Sequence, residues 1–272
     1  MNLDLALHTL ARQPGADFDL AELALSLARD EYPELDVEAH LNELAGMAHE
    51  AGRFIRGDRR QQLEGLCRYL FHEMGFHGNR RDYYDPRNSY LNDVLERRTG
   101  IPISLAAVTI AVGSRAGLPI VGVGLPGHYI AKLTGEPELL LDPFHGGRLL
   151  SPADCENLVR QSTGVELEVS PLALEALPLA LTVHRMLANL RGIYVKQQDW
   201  RRAARVLKRL LQLNPEDVVL RRDLGYCFLH SGQPGLAVGH LEAYLARAPE
   251  GDDVDDVRQV LAAAWKGVSE RN

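Results

Sequence analysis

The stretch GHYIAKLTGEPELLLDP, residues 127–143, reads as two short strands around a turn. Apolar runs flank Thr-Gly-Glu-Pro, a turn signal. A histidine opens the first run and an aspartate closes the second. With 133–137 as the loop, 132 pairs with 138 and 128 with 142, and directly opposed side chains share one face of a sheet. His128 and Asp142 then meet, and a carboxylate beside an imidazole fixes its tautomer. A one-residue slip would put them on opposite faces. On spacing alone, the plainer reading is a histidine at a strand start and an aspartate capping the Asp-Pro turn.

The pattern extends outward from this hairpin. IVGVGL, 120–125, is a Val/Ile-rich strand before it, and HGGRLLS, 145–151, turns back after it. A mostly apolar helix, Ser104 to Arg115, precedes the strands, so the pattern is α+β with a helix packed on a small antiparallel sheet. Gly122, Gly124 and Gly127 match the spacing of a dinucleotide fingerprint. A strand rather than a helix follows them, so no phosphate site is expected there. Upstream, HGNRRDYYDPRNSY, 77–90, is an aromatic loop. The first 56 residues read as helical, with Asp19 and Asp36 as N-caps and Gly52 as a stop, and 61–76 as another amphipathic helix.

Beyond about Leu177 the chain repeats. Trp200 and Pro234 are 34 residues apart, as are Ala203 and Ala237, Leu207 and Leu241, Leu210 and Tyr244, and the pairs Asn214-Pro215 and Ala248-Pro249. That period resembles tetratricopeptide repeats, about two of them, with 254–268 as a closing helix. The acidic run 250–256 would cap that helix through its dipole. The basic residues between Lys196 and Arg209 read as a solvated helix face.

Composition narrows the function classes. A formal net charge of −7 argues against a nucleic-acid or anionic-membrane surface. Cys67, Cys155 and Cys227 are isolated, which fits a reducing cytoplasm rather than a disulfide or zinc framework. No apolar run is long enough for a membrane helix, and no signal peptide is evident, so a cytoplasmic location is expected.

YYDPRNSYLNDVLERRTGIPISL, GLPGHYIAKL and LDPFHGGRLL resemble a bacterial family, often filed under the SirB name. Its transglutaminase-like core, a branch of the papain-like fold, is followed by tetratricopeptide repeats. The resemblance covers almost the whole chain. It implies a helical segment over 1–56, a transglutaminase-like core over 57–176 and helical repeats over 177–272. In active members of the superfamily a cysteine opens the buried helix. The matching place here, GIPISLAAV, 100–108, contains none. Pro102 falls at the cysteine position, or Ser104 after a shift of two.

The resemblance thus implies a candidate remnant triad of Ser104, His128 and Asp142. Serine needs its base within about 3 Å and an oxyanion hole re-aimed at its own attack point. Ser104 reads more simply as the helix N-cap or a residue of its N-terminal turn. Tyr83, Tyr84, Arg87, Asn88 and Arg148 could add donors to a cleft, with Tyr84, Asn88 and Arg148 the chosen binding candidates. His128, His145 and Asp142 could supply three metal ligands in principle. Without HxH or HExxH spacing neither metal nor cofactor is expected. The expectation is a regulatory or binding module for a protein or peptide partner. Its alternatives are an acyl-transfer hydrolase using Ser104, His128 and Asp142, and a scaffold acting only through its repeats.

Overall fold

The computed structural model describes residues 1–248 and 251–270. The chain forms two compact units, one of 1–3 with 15–186 and one of 4–14 with 187–272.

In the first unit, Asp19 and Asp36 cap α2 (Leu20–Ala28) and α3 (Val37–Ala51) by accepting from amides of their first turns. Asp58 forms a capping box with Gln61 at the start of α4 (Arg59–Cys67). The helix expected over 61–76 is present as a continuous run over 59–73 that changes type within its length. After Cys67 the chain widens into a π-turn, Arg68–Glu73, closed by the Met74 amide on the Tyr69 carbonyl. Short strands β1 (His77–Gly78) and β2 (Thr99–Gly100) pair in parallel around α5 (Leu91–Arg97). The buried helix α6 spans Pro102–Arg115. It starts two residues earlier than expected, because proline is already set for the first helical position.

The sheet has the order β3-β4-β5-β6, all antiparallel: β3 (Ile120–Leu125), β4 (His128–Leu133), β5 (Leu139–Asp142) and β6 (Arg148–Leu150). Residues of β4 are buried throughout. Tyr129, Ala131 and Leu133 join the larger core with α6, whereas Ile130 joins a smaller one with Cys155 and Val159 of α7 (Pro152–Thr163). Gly122 belongs to this packing, not to a phosphate loop: a Cβ there would lie 2.0 Å from the Tyr129 hydroxyl.

The observed register differs from the expected one. Leu133 pairs with Leu139 and Ala131 with Leu141, so the loop is 134–138 and the offset is two residues. Gly135, Glu136, Pro137 and Glu138 all stay in the loop, and Pro137 has no N–H to give a ladder. An offset of two preserves the face of every side chain, where an offset of one would have reversed it. His128 and Asp142 therefore stay on one face, as diagonal rather than direct neighbours.

The second unit is all-helical: α1 (Leu3–Arg12), the end of α8 (Leu179–Lys196), then α9 (Trp200–Leu213), α10 (Val218–His230), α11 (Pro234–Arg247) and α12 (Val254–Ser269). α9 and α11 begin 34 residues apart, and Ala203, Leu207, Leu210 and their counterparts Ala237, Leu241, Tyr244 are all buried. At Gly225 a Cβ would sit 2.7 Å from Leu241, so a small residue is needed where α10 crosses α11. Asp255 and Asp256 lie in the first turn of α12, while Pro249 and Glu250 of the sequence reading lie outside the described residues.

The division into units departs from the sequence reading in two places. α1 belongs with the repeats, where its Asp4 accepts from Gln212 at 3.1 Å and pairs with Arg209. α2, α3 and the first half of α8 belong with the sheet unit, and Ala21, Leu25, Leu44, Met47 and Met186 share its core.

Candidate functional site

Asp142 ends β5 and caps the 3₁₀ turn Pro143–His145. Its Oδ1 accepts from the amides of Phe144 at 3.0 Å and His145 at 3.3 Å. A 3₁₀ turn has three residues per turn, so side chains at i and i+3 come into line. That brings His145 back over Asp142, and His145 Nδ1 donates to Oδ2 at 2.6 Å. His128 Nε2 donates to the same oxygen at 3.0 Å. One carboxylate oxygen thus serves two imidazoles, whose rings stack at 5.9 Å.

Asp142 is 1% exposed and His128 7%, whereas the His145 side chain is 31% exposed. Burial pushes the Asp142 carboxyl up, but the hydrogen bonds from His128 and His145 outweigh it and hold the group below its ordinary value. The carboxylate is therefore ionised and can only accept, which puts protons on His128 Nε2 and His145 Nδ1. The other ring nitrogens, Nδ1 of His128 and Nε2 of His145, have no hydrogen-bond partner among the described residues.

Two devices hold the arrangement. Arg185 Nη2 donates to the carbonyls of Leu125 at 2.9 Å and His128 at 2.7 Å, fixing the hairpin end from which His128 projects. Its guanidinium lies 5.5 Å from the Tyr129 ring centre, and Tyr129 bonds Thr182 at 2.9 Å. Gly147 has φ +73°, and a Cβ there would meet Phe71 at 2.6 Å and Cys67 Sγ at 2.8 Å. Only glycine lets the chain turn so tightly after His145.

A run of rings leads outward from this pair. His128 lies 6.2 Å from Phe144, Phe144 6.1 Å from Tyr83, and Tyr83 5.4 Å from Tyr84. Tyr83 and Tyr84 are exposed at the far end. Tyr84 thus connects to the His–Asp pair through other rings rather than by contact with it.

The remaining sequence candidates lie elsewhere. Ser104 is fully buried on the first turn of α6; its hydroxyl donates to the Asn88 carbonyl at 2.6 Å and accepts from the Ile101 amide at 3.0 Å. No described hydrogen bond joins it to His128, and it is not the cap residue, which is Ile101. Asn88, expected to donate into a cleft, is wholly enclosed. Its amide donates to the Asp82 and Tyr83 carbonyls at 2.7 and 3.3 Å, and its oxygen accepts from Asn79 at 3.1 Å and Arg97 at 3.3 Å. Arg148 is paired with Asp154 of the α7 capping box. Arg87 folds back on Asp85 at 2.8 Å.

Phe144 and Arg185 were not singled out by the sequence, and His145 was considered only as a third metal ligand. For His145 the signal was present: an Asp-Pro-x-His run, in which a capping aspartate sees its i+3 neighbour. Arg185 carried no local signal, being 57 residues from its partner. A cavity of about 560 Å³ lined by Asp19, Ile110, Arg115, Gly122, Tyr129 and Thr182 does not include His128 or Asp142. Asp19 and Arg115 in its wall pair with each other.

Comparison with known proteins agrees with this architecture. The family model described as Transglutaminase-like superfamily matches residues 36–188, and a tetratricopeptide-repeat model matches 190–262. A UPF0162 protein of Xylella fastidiosa strain 9a5c is 37% identical over 92% of each chain. A UPF0162 protein of Vibrio cholerae is 29% identical, covering 86% of this chain and 88% of its own. Protein SirB1 of Salmonella typhimurium is 28% identical, covering 89% and 88%.

Proposed function

The chain belongs to the transglutaminase-like superfamily, in its SirB-type branch with tetratricopeptide repeats, and from that membership we propose that its core is a non-catalytic peptide-binding module. A transglutaminase-like core joined to tetratricopeptide repeats fits a binding or regulatory protein. The finer reading rests on one observation: His128 and Asp142 bond each other, and no hydrogen bond joins His128 to a serine or cysteine among the described residues. Ser104 holds Asn88 and Ile101 with its hydroxyl. All three thiols are buried, and burial pushes Cys67 up to about 12 and Cys155 and Cys227 up to about 11. At neutral pH almost none is thiolate, the form that attacks.

What the site does offer suits a peptide. Two outer ring nitrogens stand beside a run of aromatic faces that ends at the exposed Tyr83 and Tyr84. Amphipathic rings give contact area at small entropic cost, with a polar tip for orientation.

Two measurements test this. A fluorophosphonate probe should leave Ser104 unlabelled in the native chain, and a thiol reagent should find three reactive cysteines only after denaturation. Labelling of Ser104 that is lost in Ser104→Ala would establish the hydrolase instead. Peptides selected from a random library on the whole chain should lose affinity in His128→Ala and in Tyr84→Ala. Peptides indifferent to both changes but sensitive to the buried-face neighbours of α9 and α11 would mark a scaffold working through its repeats.

A further inference from the structure

The geometry points to a binding site for one divalent transition-metal ion of the zinc class, held by His128 Nε2, His145 Nδ1 and an oxygen of Asp142. The three donor atoms lie within 4.8 Å of one another, and the two Asp–His separations are 3.0 and 2.6 Å. Around an ion with bonds of about 2.1 Å, neighbouring donors stand about 3–3.5 Å apart.

Four features favour a cation here over a closed hydrogen-bond cluster. Asp142 is a buried charge with no lysine or arginine paired to it among the described residues; its only ionic neighbours are the two imidazoles. A buried carboxylate is costly unless matched by a cation. Its Oδ1 is fixed by two backbone amides, the outer hydrogen bonding that orients a ligating carboxylate. His145 stands on a turn followed by Gly146 and Gly147, both at positive φ, and its partial exposure gives an ion a way in. Two imidazoles and one carboxylate select zinc, cobalt or nickel over calcium and magnesium, which prefer oxygen.

On binding, the ion takes the two nitrogens that now donate to Asp142, and the ring protons move to the outer nitrogens or to solvent. Three protein ligands leave a coordination position open, for water or for a carboxylate or carbonyl of a docked group. The site stands independently of any peptide partner.

The test uses the full chain, stripped with chelator and titrated with Co²⁺ alone, followed by its visible absorption and by calorimetry. One saturable equivalent per chain is expected, displaced by Zn²⁺, with a rise in unfolding temperature that grows with ion concentration. His145→Ala and His128→Ala should each weaken binding at least about tenfold, whereas His8→Ala, exposed on α1, should not. His145→Ala is the decisive variant because the residue is partly exposed and its loss leaves the core intact, which circular dichroism checks. Absence of a saturable equivalent in folded wild type, or binding unchanged in both histidine variants, overturns the proposal. Peptide capture measured with chelator present keeps its own outcome separate.

Discussion

Two polar hubs lie inside the sheet unit, one around Asn88 and one around Asp142. Each side chain makes four hydrogen bonds, all to partners nearby in sequence. They differ in closure. The Asn88 side chain is wholly enclosed, and the Ser104 hydroxyl donates to its carbonyl. Around Asp142 one arm, His145, reaches solvent, and two ring nitrogens remain available. A sealed hub spends its hydrogen bonds on holding the fold, whereas an open one retains unspent capacity for a ligand. Closure, rather than the presence of polar residues, separates scaffold from site.

Breaking the sealed hub should have the largest effect. Asn88→Ala leaves four part-buried hydrogen bonds unmade, and we expect a loss of about 3 kcal/mol in urea unfolding. A loss under about 1 kcal/mol would mean that the hub is not closed in solution. Ser104→Ala removes the bond beneath it and should cost about 1–2 kcal/mol without altering ligand capture at Asp142. A loss of capture at unchanged stability would instead give Ser104 a place in the site. At the open hub, His145→Ala should cost less than about 1 kcal/mol, since Asp142 keeps His128 and two amides. A cost matching that of Asn88→Ala would erase the distinction.

The smallest effect is one of sign. Asp93, buried beside the sealed hub, accepts from Tyr32 at 2.7 Å, yet burial pushes its carboxyl above the ordinary value. The folded state therefore holds this proton more tightly than the unfolded one. Its contribution is fully present below about pH 4 and is lost as pH rises through the folded value. Asp93→Asn should thus raise the urea midpoint slightly at neutral pH and give no gain near pH 3. A gain at both would point to packing rather than ionisation.

Much of the architecture was legible in local pattern. Asp19 and Asp36 announced their helices because a cap and its amides are two or three residues apart. The 34-residue period placed α9 and α11, since like positions must be buried alike when repeats stack. The His–Asp meeting survived a misjudged loop because strand parity is indifferent to a shift of two. Asn88 and Arg148 were misjudged for one reason: a polar side chain in a loop looks the same whether its partner is a ligand or the protein itself.

The sequence alone therefore determined the elements, the repeat and the shared face of His128 and Asp142, all properties of neighbours or of a fixed period. Only the tertiary structure decided which polar groups are spent. The partner of Ser104 lies 16 residues away and that of Arg185 lies 57 residues away. A hydrogen bond depends on where the folded chain brings its two ends, and no local periodicity encodes that distance.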